Sequence, residues 1–133
     1  MKWVSLLAIA GGVALYAQAP SADRNPVAYA PASVARGKSL YLQNCQSCHD
    51  EDGRARSAAV AIAADLTDPA RWKFGTSDPL VFKTIKFGAA DAMPPFGVDL
   101  KDEQIWDVVN FIRSIGPAAN RPPGADHSAG ARR

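Results

Sequence analysis

Residues 45–49 read Cys45-Gln46-Ser47-Cys48-His49, and this pentapeptide decides the fold. Two thiols three residues apart on one helical turn can each add to a vinyl group along the same porphyrin edge. The next residue, His49, is then carried under the ring, where an imidazole nitrogen can reach the iron. Cys-x-x-Cys-His is the attachment signal of a c-type haem. Three other readings of the pair fare worse. A zinc site needs two further Cys or His ligands, and the chain offers only His127 besides. A thioredoxin-like redox pair sits in a βαβ context, and no strand alternation is visible. A plain disulfide would not call for His49.

If His49 takes one axial position of the iron, the sequence should supply a second ligand. Past the N-terminal leader, Met93 is the only methionine. It lies in Asp91-Ala92-Met93-Pro94-Pro95-Phe96-Gly97, where two prolines make the chain stiff and extended. A lone Met is more often a core filler, but a stiff loop between helices suits the presentation of a thioether to iron. His127 is a poor rival because its polar surroundings cannot fix it. His49 and Met93 together would raise the reduction potential. They would also fill both axial positions and leave none open for a substrate.

Three helices can be placed around these residues. The first runs from about Ser33 to Asn44, with Ser33 as N-cap and Val34, Gly37, Leu40 and Tyr41 on one face. Gly37 in its middle costs ~1 kcal/mol against Ala, which marks either a close helix crossing or an early helix end. The second is Pro79 to Phe87, capped by Asp78 and stopped by Gly88. The third is about Asp102 to Ile115. There Ile105, Val108, Val109 and Ile112 form an apolar stripe, and Asp102 and Glu103 complement the helix dipole. The fold class is therefore all-α.

The rest of the chain bounds the domain. In 133 residues, 47% hydrophobic and 21% charged, there is room for one globular domain with tails. A net charge of +2 gives no sign of nucleic-acid binding, and two cysteines are too few for a disulfide framework. Residues 1–19 read as an export signal: Lys2, an apolar run from Trp3 to Ala17, then Ala17-Gln18-Ala19. The run is shorter than the ~20 residues of a spanning helix. It is either cleaved or, with Pro20 directly after the cleavage bond, retained as an anchor. Residues 20–32 read as an Ala/Pro-rich linker and 117–133 as a disordered tail. That leaves 33–116 as the folded unit, small enough to need a cofactor as a staple.

In these features the chain resembles the small monohaem class I cytochromes c. The likeness rests on Gly37 and Tyr41 ahead of the haem motif, on Cys45 to His49, on Met93-Pro94-Pro95, and on Asp102 to Arg113 as a C-terminal helix. It implies three main helices and loops wrapped around one covalent haem, with the first and last helices crossing so that Gly37 meets Val108 or Phe111. The chain also departs from the family. Asp50 to Asp68 contains no proline, where the family often uses a proline carbonyl to accept the second N–H of the ligand histidine. Ala64-Asp65-Leu66 stands where Pro-x-Leu is common. Lys101 occupies the usual place of a capping Ser or Thr, which leaves Asp99 or Asp102 to cap the last helix.

Further expectations are less specific. Leu66 packs on the haem, and Trp72 and Arg71 either bond a haem propionate or simply pack. Lys38, Lys73, Lys83, Lys86 and Lys101 either ring an exposed haem edge or are ordinary solvated lysines. Asp50-Glu51-Asp52 reads as a solvated turn. The resemblance implies an exported, periplasmic one-electron carrier rather than an enzyme, containing haem c and its iron. It would be a monomer working between a donor dehydrogenase or cytochrome complex and an acceptor oxidase or cytochrome, or the electron-transfer subunit of a dehydrogenase. The alternatives are a haem-based ligand sensor or peroxidase-like enzyme with a displaceable Met93, and a haem-free zinc or structural module.

Overall fold

The computed structural model describes residues 23–57, 63–89 and 92–122. The expected export signal, the start of the linker, Asp91 and the end of the tail with His127 lie outside them. Helix α1 spans Pro31–Asn44, α2 is the single turn Gln46–His49, α3 spans Asp78–Phe87 and α4 spans Asp102–Ile115. Short 3-10 turns occupy Pro69–Arg71 and Ala118–Asn120. Among the described residues no strand forms, only an isolated bridge between Ala89 and Met93. The all-α expectation holds.

The helix ends differ from expectation in an instructive way. Helix α1 starts two residues before Ser33, because Pro31 in its first turn needs no N–H partner. Ser33 is not the cap. It is buried one turn in, and its hydroxyl donates to Asp107 Oδ1 on α4 at 2.5 Å. Asp78 does not cap α3 either. Ser77 holds the extended capping position, while the Asp78 carboxylate pairs with Arg113 of α4 at 2.7 Å. At α4 the work expected of Asp99 or Asp102 falls to Gln104, whose side chain accepts the Lys101 N–H at 2.9 Å. Asp102 instead receives Lys86 Nζ of α3 at 2.7 and 2.9 Å. The α3 stop is as expected: Gly88 adopts φ +79°, the left-handed region open to glycine.

Helix α1 packs closely on α4, and Gly37 lies at the contact. A Cβ at this position would overlap the Asp107 backbone carbonyl and sit 3.0 Å from Phe111 Cβ. The expected Phe111 contact is present. The other partner is the Asp107 backbone rather than Val108, which belongs to the neighbouring core with Val81, Ile85, Leu100, Ile105, Val109 and Ile112. A smaller cluster joins Tyr41, Cys45 and Phe111, with the two rings 4.9 Å apart.

A polar network surrounds the same contact. Asp107 also accepts from Arg36 Nε and Nη2 at 2.7 and 2.8 Å. Asn110 is fully buried, and its Nδ2 reaches Ser33 Oγ at 2.8 Å and the carbonyls of Val27 and Ala28 at 3.1 and 3.2 Å. Asn25 Nδ2 donates to Asn110 Oδ1 and to the Trp106 carbonyl, both at 2.9 Å. Residues 25–28, within the stretch expected as an extended linker, are thus strapped to α4. The tail likewise begins ordered, with Arg121 Nη2 donating to the Ser114 carbonyl at 3.3 Å. These contacts run through polar groups: Asn25, the Val27 and Ala28 carbonyls and the Arg121 guanidinium.

Two outcomes follow from this packing. Gly37→Ala should cost about 2 kcal/mol through overpacking, outweighing a helix-propensity gain of ~1. It should lower the urea midpoint at unchanged slope. Asn110→Ala should cost about 1–3 kcal/mol by leaving buried partners unsatisfied. It should also release the strap, so that limited proteolysis cuts within residues 23–30 under native conditions.

Candidate functional site

The site grows from the C-terminal end of α1. Cys45 caps this helix, its N–H donating to the Tyr41 carbonyl at 2.8 Å. The N–H groups of Cys48 and His49 then return to the Cys45 carbonyl at 3.1 and 3.0 Å, so both thiols and the imidazole share one turn. Both cysteines are free. Burial, with a smaller effect of Cys48, pushes the Cys45 thiol up to about 12, so in the haem-free chain it stays protonated at neutral pH.

The chain reverses at Asp50, at φ +59°, and the loop after it is tightly organised. Tyr41 Oη donates to the Asp50 carbonyl at 2.7 Å. Burial, above all, raises the Tyr41 phenol above its ordinary range. The Asp50 carboxylate accepts from Ser57 Oγ, Ser57 N and Arg56 N at 2.6, 2.9 and 2.6 Å. The Ser57 bonds hold Asp50 below the usual carboxylate range, as the Arg56 side chain does for Asp52. The turn expected at residues 50–52 exposes Glu51 and Asp52, but Asp50, half-buried, and Asp52 knit it to the residues that follow.

His49 Nδ1 lies 2.9 Å from the Ala64 carbonyl oxygen. A carbonyl only accepts, so Nδ1 carries a proton, and in the neutral ring the lone pair is on Nε2. The acceptor that the missing proline left open is thus the backbone of the very residue standing in its place. Leu66, two residues on, donates its N–H to the Gly53 carbonyl at 2.7 Å and packs against both core clusters. The Trp72 indole N–H donates to the Asp65 carbonyl at 2.8 Å, and its ring packs on the larger core. The Trp72 indole N–H is thus engaged by the chain's own backbone. Arg71 is exposed.

Met93 is half-buried against the larger core. Its loop is held by more than its prolines. Ala89 and Met93 exchange backbone hydrogen bonds at 3.0 and 3.3 Å, and the N–H groups of Phe96 and Gly97 return to the Ile85 and Lys86 carbonyls at 3.0 Å. The loop is therefore fastened to the last turn of α3. Lys86 pairs with Asp102 and lies 5.5 Å from the Phe82 ring centre. Lys38, Lys73, Lys83 and Lys101 remain exposed.

These residues fit a covalent haem. Two free thiols share a turn with an imidazole that donates its Nδ1–H to a backbone carbonyl, and a thioether on a pinned loop packs, as half-buried Leu66, Trp72, Phe82 and Phe96 do, against the larger core. Nitrogen and sulfur donors of this kind suit haem iron. Among the described residues no group of three or more His, Cys, Asp or Glu assembles a bare metal site.

Comparison with known proteins gives the family. The family model described as cytochrome c oxidase, cbb3-type, subunit III matches residues 32–112. The chain is 28% identical over 85 residues to the cbb3-type cytochrome c oxidase subunit CcoP of Azospirillum sp. (strain B510), covering 62% of this chain and 29% of that protein. It is 38% identical over 88 residues to the gluconate 2-dehydrogenase cytochrome c subunit of Pantoea cypripedii, covering 58% of this chain and 19% of that one. The chain thus spans less than a third of the length of either relative. Cytochrome cL from Hyphomicrobium denitrificans superposes with a TM-score of 0.57 at 24% identity, over 78% of this chain and 62% of that one, and shares the fold. Since the family model covers more than half of the chain, from the start of α1 almost to the end of α4, the protein belongs to that family of cytochromes c, whose members carry covalently bound haem c.

Proposed function

We propose that the protein is an exported one-electron carrier in which Cys45 and Cys48 hold haem c through thioethers and His49 and Met93 are the axial ligands of its iron. The observation that supports this reading is the His49–Ala64 hydrogen bond, in which Nδ1 is the donor and Nε2 is the nitrogen a metal would take. Haem c, when bound, supplies a one-electron ferrous–ferric couple. The chain's own part is to keep the ligands still. The Ala64 carbonyl holds the imidazole orientation, and the Ala89–Met93 bridge with the α3 carbonyls holds the thioether loop. Ligands that do not move between oxidation states keep the cost of electron transfer low. The ring of Trp72 and the side chain of Leu66, both packed on the larger core, would supply apolar surface to the haem.

Filling both axial positions argues for electron transfer over sensing or peroxide chemistry. The relatives' names point to larger redox assemblies as partners, an oxidase or a dehydrogenase. The exposed Lys38, Lys73, Lys83 and Lys101 suit an acidic docking face. Export to the periplasm is supported by the signal-like residues 1–19 and by the making of thioether links on the outer side of the membrane. Among the described residues, no helix is long and apolar enough to cross a membrane.

Optical spectra of the exported holoprotein test this reading. Sharp c-type bands, an iron–thioether charge-transfer band and no response of the reduced form to carbon monoxide are expected. Met93→Ala should abolish the charge-transfer band and admit carbon monoxide. Gly88→Val should weaken that band, because a Cβ at 88 would meet the Met93 carbonyl at 2.5 Å and Pro95 N at 3.0 Å. A wild-type spectrum that shifts with carbon monoxide would remove Met93 as a firm ligand and favour the sensor or peroxidase-like alternative.

A further inference from the structure

The carbonyl that receives the His49 proton belongs to an alanine, which has no ring to fix its backbone. Its direction must be set by its neighbours. Asp65 Oδ1 accepts from Thr67 N and Thr67 Oγ1 at 2.8 and 2.6 Å, closing an Asx turn. Leu66 N donates to the Gly53 carbonyl at 2.7 Å. Trp72 Nε1 donates to the Asp65 carbonyl at 2.8 Å. The Trp72 ring is itself held, by the larger core and by the Arg113 guanidinium 5.9 Å from its centre, and Arg113 is anchored on Asp78. Asp65 is therefore gripped at its side chain and at its carbonyl. Fixing its two backbone angles fixes the plane of the Ala64–Asp65 peptide, whose oxygen faces His49.

We propose that Trp72 and Asp65 are positioning residues for the iron ligand: together they aim the Ala64 carbonyl at His49 Nδ1 and so set how strongly the imidazole donates to the metal. A firm hydrogen bond at Nδ1 raises the basicity of Nε2. A more basic ligand favours ferric iron, so the bracket lowers the reduction potential. The inference rests on the reading that His49 ligates the haem iron.

The test uses the holoprotein. Solvent exchange of the His49 Nδ1 proton is followed by NMR, and the reduction potential by spectroelectrochemistry. Trp72→Phe keeps an aromatic ring and removes the N–H. It should speed exchange about fivefold, the factor carried by one hydrogen bond of ordinary net strength, and raise the potential. Asp65→Ala should also speed exchange, whereas Asp65→Asn, which keeps the acceptor, should leave exchange as in the wild type. This pair decides the matter if Trp72→Phe fails to take up haem. A potential that moves in Trp72→Phe while exchange does not would overturn the proposal, because Trp72 would then act on the haem directly. Exchange unchanged in Asp65→Ala would overturn it too. Wild-type His49 resonances without iron-induced shifts would strike the ligation reading and this proposal together. Shifted resonances with unchanged exchange would strike the proposal alone.

Discussion

The backbone of Gly37 lies against the Asp107 carbonyl, and the positions of the site residues follow from that contact. Helix α1 ends at Asn44, and Cys45, Cys48 and His49 follow within the next turn. Where α1 rests on α4 therefore sets where the thiols and the imidazole stand. A methyl group between the helices would lift the whole motif away from the core. Ser33, Arg36 and Asn110 surround the contact with directional bonds, so the crossing is specified in register as well as in closeness. Apolar packing alone tolerates sliding, whereas a buried carboxylate with named donors does not.

On that frame the two proposed iron ligands are held by different means. His49 sits on a helical turn and is oriented by one backbone oxygen from a distant segment. Met93 sits on a loop whose backbone is tied to the end of α3, with Gly88 making room beneath it. In both cases main-chain groups do the holding. This suits a donor set that must look the same before and after an electron passes.

Much of this was legible in the chain itself. The Cys45–His49 spacing, the Met93-Pro94-Pro95 loop, the α4 stripe and the Gly88 stop are all local patterns, readable from one residue to its near neighbours. The errors share a cause. Ser33 and Asp78 were expected to cap the helices they begin, but each has a partner on α4 instead. Asn25, within the stretch read as a linker, binds a residue far along the chain. A polar side chain advertises its capacity to bond but not its partner, and local capping is only one of the offers it receives.

The sequence by itself determined the helical class, the thiol pair with its histidine, the candidate methionine and the glycine that permits a close helix crossing. Each depends on residue type and spacing within a few turns of chain. The tertiary structure alone decided that Ala64 supplies the carbonyl for His49, that Trp72 gives its N–H to Asp65, and that residues 25–28 are strapped to α4. Backbone carbonyls are the same at every position, so a sequence cannot show which of them a folded chain will bring to a given donor.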